Sequence, residues 1–335
     1  MQYFAFVASE GKEMEYRLLK IANILANAPE AAKFSFSFEP DVGALTASIQ
    51  ELGLINPPLV KKTEHKYEII CGFNRVQACF RLGIPEIPVK VADPVGLSDE
   101  KCLWLSLVDS EWSRRLSPVE QAIALQKFAA VGYSIERLFA EIAPHLQLPQ
   151  SRRHLENHLR LTTLEPPMLQ AIHREQLRVE QAFLLLDVEP PARLALFDLL
   201  QACKANLNET RELIPTILDV AKMKNLEPAQ YIRQLEASAV SGTFRHKLQV
   251  LRDSLVKSRY PALSAAQSQF DNLAGALTAG HNCKIEAPRY LEGDEISISI
   301  RAKSPEQLED VLRKLSRPES SDKIRSLFSI LGGHT

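Results

Sequence analysis

The sequence predicts an α+β chain in three parts. A small mixed-sheet domain spans residues 1–115, an all-α helix-turn-helix region 116–200, and a small α/β C-terminal domain 201–335. Three observations predict it. Short β-like runs separated by turns, LVKK and YEIIC, lie in the first hundred residues. Helical spacing then persists for about a hundred residues from 101 onward. The alternation ISISI brings a strand back near the C-terminus.

Taken in order, Tyr16 to Ile21 predicts a short strand. Val42 to Leu52 has apolar residues at helical spacing, and Gly53 stands where a helix stop belongs. Pro57 and Pro58 bar any continuation. Leu59–Lys62 and Tyr67–Cys71 predict two strands around a polar turn. Val76 to Leu82 predicts a short helix closed by Gly83, and Ile87 to Val91 a further strand. The clearest helix start is Ser117-Pro118-Val119-Glu120. Ser117 can cap the free amides, Pro118 suits the first helical position, and Glu120 completes a capping box. Gly132 stops that helix, Ser134 begins another through Ile142, and the turn APHLQLPQ leads to a helix over Ser151–Leu161. Helical segments occupy much of 207–277. Lys284–Ala287 and Glu295–Arg301 predict a strand pair in which Ile296, Ile298 and Ile300 share one buried face. Ser304 caps an amphipathic helix, SPEQLEDVLRKL.

Bulk composition excludes several classes. The 335 residues carry 40 basic and 41 acidic side chains, a net charge of −1. Coating nucleic acid or an anionic membrane by bulk charge is therefore not expected, whereas a local basic patch is compatible. Five cysteines without a CxxC pair support neither a disulfide framework nor a zinc knuckle. No apolar run nears the roughly 18 residues of a membrane span. The first residues, MQYFAFVASEGKEMEYR, put no basic stretch before their short apolar run. The expectation is a cytoplasmic protein with no membrane partner, no zinc and no haem.

The stretch YEIICGFNRVQACFRLG joins strand, glycine, a short polar step and helix. That order suits an anion. Gly72 can take backbone angles closed to other residues. The first amides of the following helix lack partners within it, and the helix dipole favours negative charge there. Arg75 can add a bidentate grip. The plain alternative is a tight turn beside a solvated arginine.

The flanking residues decide between these. LTASIQELGLINPPLVKK…YEIICGFNRVQACFRLGIPEIPVKV, continued by DSEWSRRLSPVEQA, closely resembles the N-terminal domain of ParB proteins, in the wider ParB/sulfiredoxin superfamily. The resemblance covers roughly residues 16 to 190. It implies a mixed-sheet ParB/sulfiredoxin-like domain with a nucleotide or phosphate site at the glycine–arginine step. It also implies DNA binding, and use of CTP with magnesium. Gly72 and Arg75 match the ends of the family's G-E-R-R step, with Phe73 and Asn74 between them and Gln77 where a further arginine usually lies. The family's E-N-x-Q-R element, implied to hold phosphates and metal, aligns with Asp109 to Ser113. Asp109 keeps a carboxylate for magnesium, Ser110 replaces the amide, and the arginine is displaced to Arg114 or Arg115. Each charge-assisted bond is worth roughly 1.5–3 kcal/mol, so two missing guanidiniums argue against CTP and for a smaller or different phosphate ligand. Sulfiredoxin itself matches poorly, because Phe73 stands where its catalytic cysteine would lie. Cys71 is expected to end a buried strand and Cys79 to pack on the inner side of the short helix.

The second constellation is a helix-turn-helix pattern, with Ser134–Ile142 supporting and Ser151–Leu161 reading. On a helical wheel Leu155, Leu159 and Thr162 share one face, and Arg153, Asn157 and Arg160 the other, with Glu156 beside them. Arginine and asparagine suit guanine and adenine edges, and Arg152 or His154 can reach phosphates. Against this, APHLQLPQ is longer than a standard three- to four-residue turn, and residues 117–200 carry 8 basic and 10 acidic side chains. A solvated helix face is the alternative. His154-Leu-Glu-Asn-His158 lacks the glutamate that a zinc-protease motif needs after its first histidine. Residues 201–335 carry 19 basic and 16 acidic side chains. Their basic stretch RHKLQVLRDSLVKSRYPAL suits phosphate or partner contact, or is a solvated face.

Three functional expectations follow. The first is a ParB-like DNA-associated protein of plasmid or chromosome partition, or derived transcriptional regulation, with a homodimer formed through its C-terminal part. The second is a nucleotide-hydrolysing or phosphotransfer enzyme of the superfamily, a nucleoside triphosphatase with magnesium near Asp109. The third is a regulator that has lost hydrolysis. Engagement of a partner ATPase would need an arginine-rich N-terminal segment, and MQYFAFVASEGKEMEYR offers one arginine.

Overall fold

The computed structural model describes residues 15–24, 32–64, 66–238, 242–279, 282–288 and 291–332. The N-terminal segment read above for a leader and for an ATPase partner lies mostly outside them. The chain divides into two units, Met1–Leu194 and Ala195–Thr335.

The first unit is built on β1 (Glu15–Lys20), β2 (Leu59–Lys62), β3 (Tyr67–Cys71) and β4 (Glu86–Ala92), in the order β1-β4-β2-β3. β2 runs parallel to β4, and the other two pairings are antiparallel, so the sheet is mixed as expected. β3 explains its own unbroken apolar run. Ile69 enters one core with Val60, Val76, Ile87 and Val89. Its neighbour Ile70 points to the other face and enters a second core with Phe34, Phe36, Leu59 and Trp104. A strand covered on both faces cannot alternate with polar residues. Each such buried side chain is worth about 1.5–3 kcal/mol.

Helix α1 (Gly43–Leu52) ends at Gly53, whose φ of 76° stops it. Helix α2 (Phe73–Arg81) starts three residues before the expected Val76. Gly72, at φ 86° and ψ 27°, turns the chain from β3 straight into the helix. Phe73, Asn74 and Arg75 are therefore its first turn rather than a step before it. The sequence concealed this because the N-cap is a glycine, not the serine, threonine or aspartate that announces a helix.

Helix α3 (Asp99–Ser113) packs on β3. Helix α4 (Pro118–Ala130) opens with the expected capping box, Ser117 accepting from the Glu120 amide and the Glu120 carboxylate from the Ser117 amide. α5 (Ile135–Arg137) runs on as a π-helical turn, Leu138–Ile142. Helices α6 (Arg152–Arg160), α7 (Pro166–His173) and α8 (Val179–Leu185) complete the first unit's helical part.

α9 (Pro190–Cys203) leads into the second unit, which holds α10 (Leu207–Met223), α11 (Pro228–Ser238), α12 (Phe244–Arg259) and α13 (Pro261–Thr278). The strands β5 (Cys283–Glu286) and β6 (Ser297–Ile300) pair antiparallel, and α14 (Pro305–Leu315) and α15 (Pro318–Gly332) follow. The buried face expected for Ile296, Ile298 and Ile300 is found only in part: Ile296 packs on the core and Ile300 is half-buried. Ile285 is buried, yet Ile298, opposite it in the ladder, is 48% exposed. α13 packs on β5 and α15, so cover reaches the first strand and the second keeps Ile298 open. Among the described residues no helix is long and apolar enough to cross a membrane. Cys71 and Cys79 are buried as expected, and burial pushes both thiols up.

Candidate phosphate pocket and recognition helix

A cavity of about 1260 Å³ opens where β3 ends, and Gly72, Phe73, Asn74, Arg75, Asp109, Ser110 and Arg114 all line it. They come from two segments that the sheet and α3 bring together. Gly72 sets the geometry. Its φ of 86° favours glycine, and a Cβ at this position would lie 2.9 Å from the guanidinium carbon of Arg75, so any other residue would push the arginine from its place. Arg75 donates from Nη1 to the Asn56 carbonyl at 2.9 Å and from Nη2 to Asp109 Oδ2 at 2.9 Å. Gly72 gives α2 no capping side chain, so the first amides of that helix and the arginine point to the same anionic chemistry.

Arg114 is held differently. Its Nη1 and Nη2 bind Glu120 Oε2 and Oε1 at 2.6 and 2.7 Å, the planar two-point pairing that suits guanidinium and carboxylate. Nη2 also reaches Ser37 Oγ at 3.3 Å, and that hydroxyl donates to Asn74 Oδ1 at 3.0 Å. Glu120 accepts two backbone amides as well, from Ser117 at 3.0 Å and Phe38 at 3.2 Å. Burial alone would raise the Glu120 pKa. The Arg114 bonds and the two amides outweigh it and hold the carboxyl below its ordinary value.

Ser37 belongs to the segment FSFSF, whose Phe34 and Phe36 are buried and whose serines face the other way. Lys127 fastens this segment to α4. Its ammonium donates to the carbonyls of Ala32, Lys33 and Ser35 at 2.5, 2.9 and 2.6 Å. The rest of the wall adds Lys90 and Lys101, the carboxylate of Asp93 and an apolar stripe of Leu105, Val108 and Trp112 along α3. Trp112 is 83% exposed at this wall, whereas Trp104 is buried and donates to the Tyr133 hydroxyl at 2.8 Å. Four cations and two carboxylates line the cavity; with Glu120 behind the wall set against Arg114 as a third carboxylate, one positive charge remains in excess, which favours an anion.

On α6, Leu155 is buried and Leu159 half-buried, as the helical wheel requires. Arg152 and Arg153 are exposed and Asn157 is half-buried. Arg152 is paired with Glu156 at 2.9 Å and Glu136 at 3.5 Å. Arg160 binds Asp187 at 2.8 Å and the Leu186 carbonyl at 3.1 Å. His158 is fully buried with Nε2 unpartnered, its ring 5.3 Å from that of Phe183. Burial, with His154 next to it, pushes its pKa down to about 4. Among the described residues no group of three or more His, Cys, Asp or Glu could hold a metal.

The family model of the ParB N-terminal domain matches residues 7–110, and that of the ParB HTH domain matches 114–219. This chain is a ParB-like protein. The two matches meet where α3 ends and Arg114 begins, so they take in the cavity and α6 together. The chromosome-partitioning protein Spo0J of Thermus thermophilus is 33% identical over 176 residues, covering 52% of this chain and 61% of that protein. A probable chromosome 1-partitioning protein ParB of Deinococcus radiodurans is 28% identical over 208 residues, covering 62% of this chain and 68% of that one. The chain thus spans less than two thirds of the Thermus relative. A C-terminally truncated ParB of Caulobacter crescentus complexed with CTP-gamma-S aligns over 53% of this chain and 94% of that one, at 24% identity and a TM-score of 0.25.

Sequence reasoning missed several residues of this ParB-like pocket: Ser37, the Asn56 carbonyl, Lys90, Lys101, Trp112 and, behind the wall, Glu120 and Lys127. A signal existed for Ser37 in the period-2 alternation of FSFSF. Glu120 was visible only as a capping residue, because its pairing with Arg114 spans a turn.

Proposed function

We propose that this chain is a ParB-like DNA-binding protein of chromosome or plasmid partition, or of regulation derived from it, with a nucleotide or other phosphate ligand in the Gly72–Arg75 cavity. The observation that carries the ligand is the convergence of the whole predicted set, Gly72 through Arg75 with Asp109, Ser110 and Arg114, on one cavity. Arg114 lines the cavity as the displaced arginine of the second element, with its guanidinium held by Glu120, so the deficit at Asn74 and Gln77 stands. The volume also leaves room for a ligand larger than a phosphate alone. Magnesium fits on one condition. Asp109 is the carboxylate nearest Arg75, and one carboxylate with ligand phosphates is a usual magnesium set.

For DNA, the exposed face of α6 supports the reading. Arg153 stands out from the helix, while Arg152 and Arg160 sit in half-exposed ion pairs that cost little to exchange for phosphates. The three-part division at 115 and 200 is proposed with it. Homodimerisation through the C-terminal part is proposed on the exposed Ile298, Leu308, Leu312 and Phe328.

Two experiments test this. A thermal-shift screen of nucleoside triphosphates, with and without magnesium, should raise the wild-type melting temperature, and Arg75→Ala should lose the shift. Selection from a random-sequence duplex library should enrich a site. Arg153→Ala should then bind that site about 1–3 kcal/mol more weakly. An unshifted wild type removes the ligand, and an unenriched library removes sequence-specific DNA binding.

A further inference from the structure

The two arginines of the pocket both hold a carboxylate, but the two carboxylates are not equivalent. Glu120 is buried and takes four hydrogen bonds, two of them from backbone amides that cannot leave. Asp109 has a side chain 40% exposed and meets Arg75 through one oxygen at 2.9 Å. Arg75 does not depend on it for position, because its other nitrogen is anchored on the Asn56 carbonyl and its side chain is 19% exposed. A phosphate approaching Arg75 meets a guanidinium whose Nη1 and Nη2 each already hold one acceptor, and the carboxylate on Nη2 repels it until it moves away. Arg114 faces no such exchange.

We propose that Asp109 is an internal counter-ion that occupies Arg75 in the empty pocket and sets the threshold for anion entry. A divalent cation lowers that threshold by drawing the carboxylate off the guanidinium. This rests on the phosphate reading of the same cavity and adds a sign to it. A residue that only helps to hold metal and phosphate would weaken binding when neutralised. A displaceable counter-ion would strengthen binding wherever no cation is present. Cation and anion should then bind cooperatively, because each favours the arrangement in which Asp109 has left Arg75.

The test is isothermal titration of the full chain with CTP and, separately, with inorganic tripolyphosphate, in EDTA and again in magnesium. In EDTA, Asp109→Asn should bind about tenfold tighter than wild type, a typical effect of removing one like charge from an anion site. Asp109→Ala should move the same way, which guards against an effect peculiar to the amide. Magnesium should tighten wild type and leave Asp109→Asn nearly unchanged. Tightening with CTP alone assigns the pocket to nucleotides, and tightening with both probes assigns it to phosphate chains. Equal or weaker binding by both variants in EDTA overturns the counter-ion. Arg75→Ala separates the two ideas. If it abolishes binding while Asp109→Asn changes nothing, the phosphate reading stands and the counter-ion falls. If it binds like wild type, or if no probe binds wild type or Asp109→Asn in either buffer, both fall.

Discussion

Glu120→Gln is nearly isosteric, and a substitution of matched shape is ordinarily mild. Here it should be severe. Each oxygen of Glu120 accepts one guanidinium N–H and one backbone N–H: Oε2 from Arg114 and Ser117, Oε1 from Arg114 and Phe38. A glutamine replaces one oxygen by an NH2 group, whichever way it is turned, and so aims donors at two donors. One charge-assisted bond and one backbone bond are lost. At roughly 1.5–3 kcal/mol for the first and about 1 kcal/mol for the second, the loss is about 2.5–4 kcal/mol. Arg114 is 38% exposed and rehydrates in part, which brings the expected cost to about 2–3 kcal/mol.

The assay can be confined to the first unit. The two tryptophans, Trp104 and Trp112, both lie in Met1–Leu194, so their fluorescence during urea unfolding follows that unit and not the second. Acidity supplies an internal control. The Glu120 pKa is lowered in the folded protein, so its stabilisation is full above the unfolded value and is lost as pH falls through the folded one. The gap between wild type and Glu120→Gln should therefore be full at neutral pH and shrink on acidification. A neutral-pH cost below about 1 kcal/mol, or a gap that does not depend on pH, would refute the four-donor argument.

Other outcomes follow from single contacts. His158 is buried with its pKa down at about 4, against 6.5 for an unperturbed ring, so the unfolded chain binds the extra proton between those values. Stability should be full above pH 6.5 and fall by about 3 kcal/mol as pH drops towards 4, and His158→Leu should flatten that step in acid unfolding. Gly72→Ala forces φ 86° on an alanine and drives its methyl into Arg75, so it should cost about 1–2 kcal/mol and weaken ligand-induced thermal stabilisation. Occupation of the cavity should change the emission of exposed Trp112, and Trp112→Phe should remove most of that change, leaving the smaller response of Trp104, which lines the cavity but is buried.

What could be read from the sequence was what neighbours along the chain decide. The mixed strands, the Ser117 capping box and the strand–glycine–helix turn each depend on residues within a few positions, and all are present. The start of α2 was misplaced because its cap has no side chain to advertise it. His158 shares the inward side of α6 with Leu155; in the sequence it stands out only as part of a failed zinc motif, although burial on that side is what its spacing implies. The exposed Ile298 could not be anticipated, since alternation in a strand says which side chains share a face and not whether anything covers it.

The pocket shows the same limit where it affects function. Arg75 and Arg114 look alike in the sequence, two arginines near a phosphate motif. Their difference lies in partners 34 and 6 positions away, one half-exposed and one buried. Residue types at the motif positions therefore predict how many cations face the cavity, but not which of them is free to change partner. A count of guanidiniums, which argued against CTP, omits the carboxylates that already bind them. For an anion, the free-energy difference on entry depends on exchange at Arg75 as much as on charge. Asp109 thus belongs in the ligand's binding equilibrium as a competitor, and the pocket's affinity should respond more to that carboxylate than to the identity of residues 73 and 74.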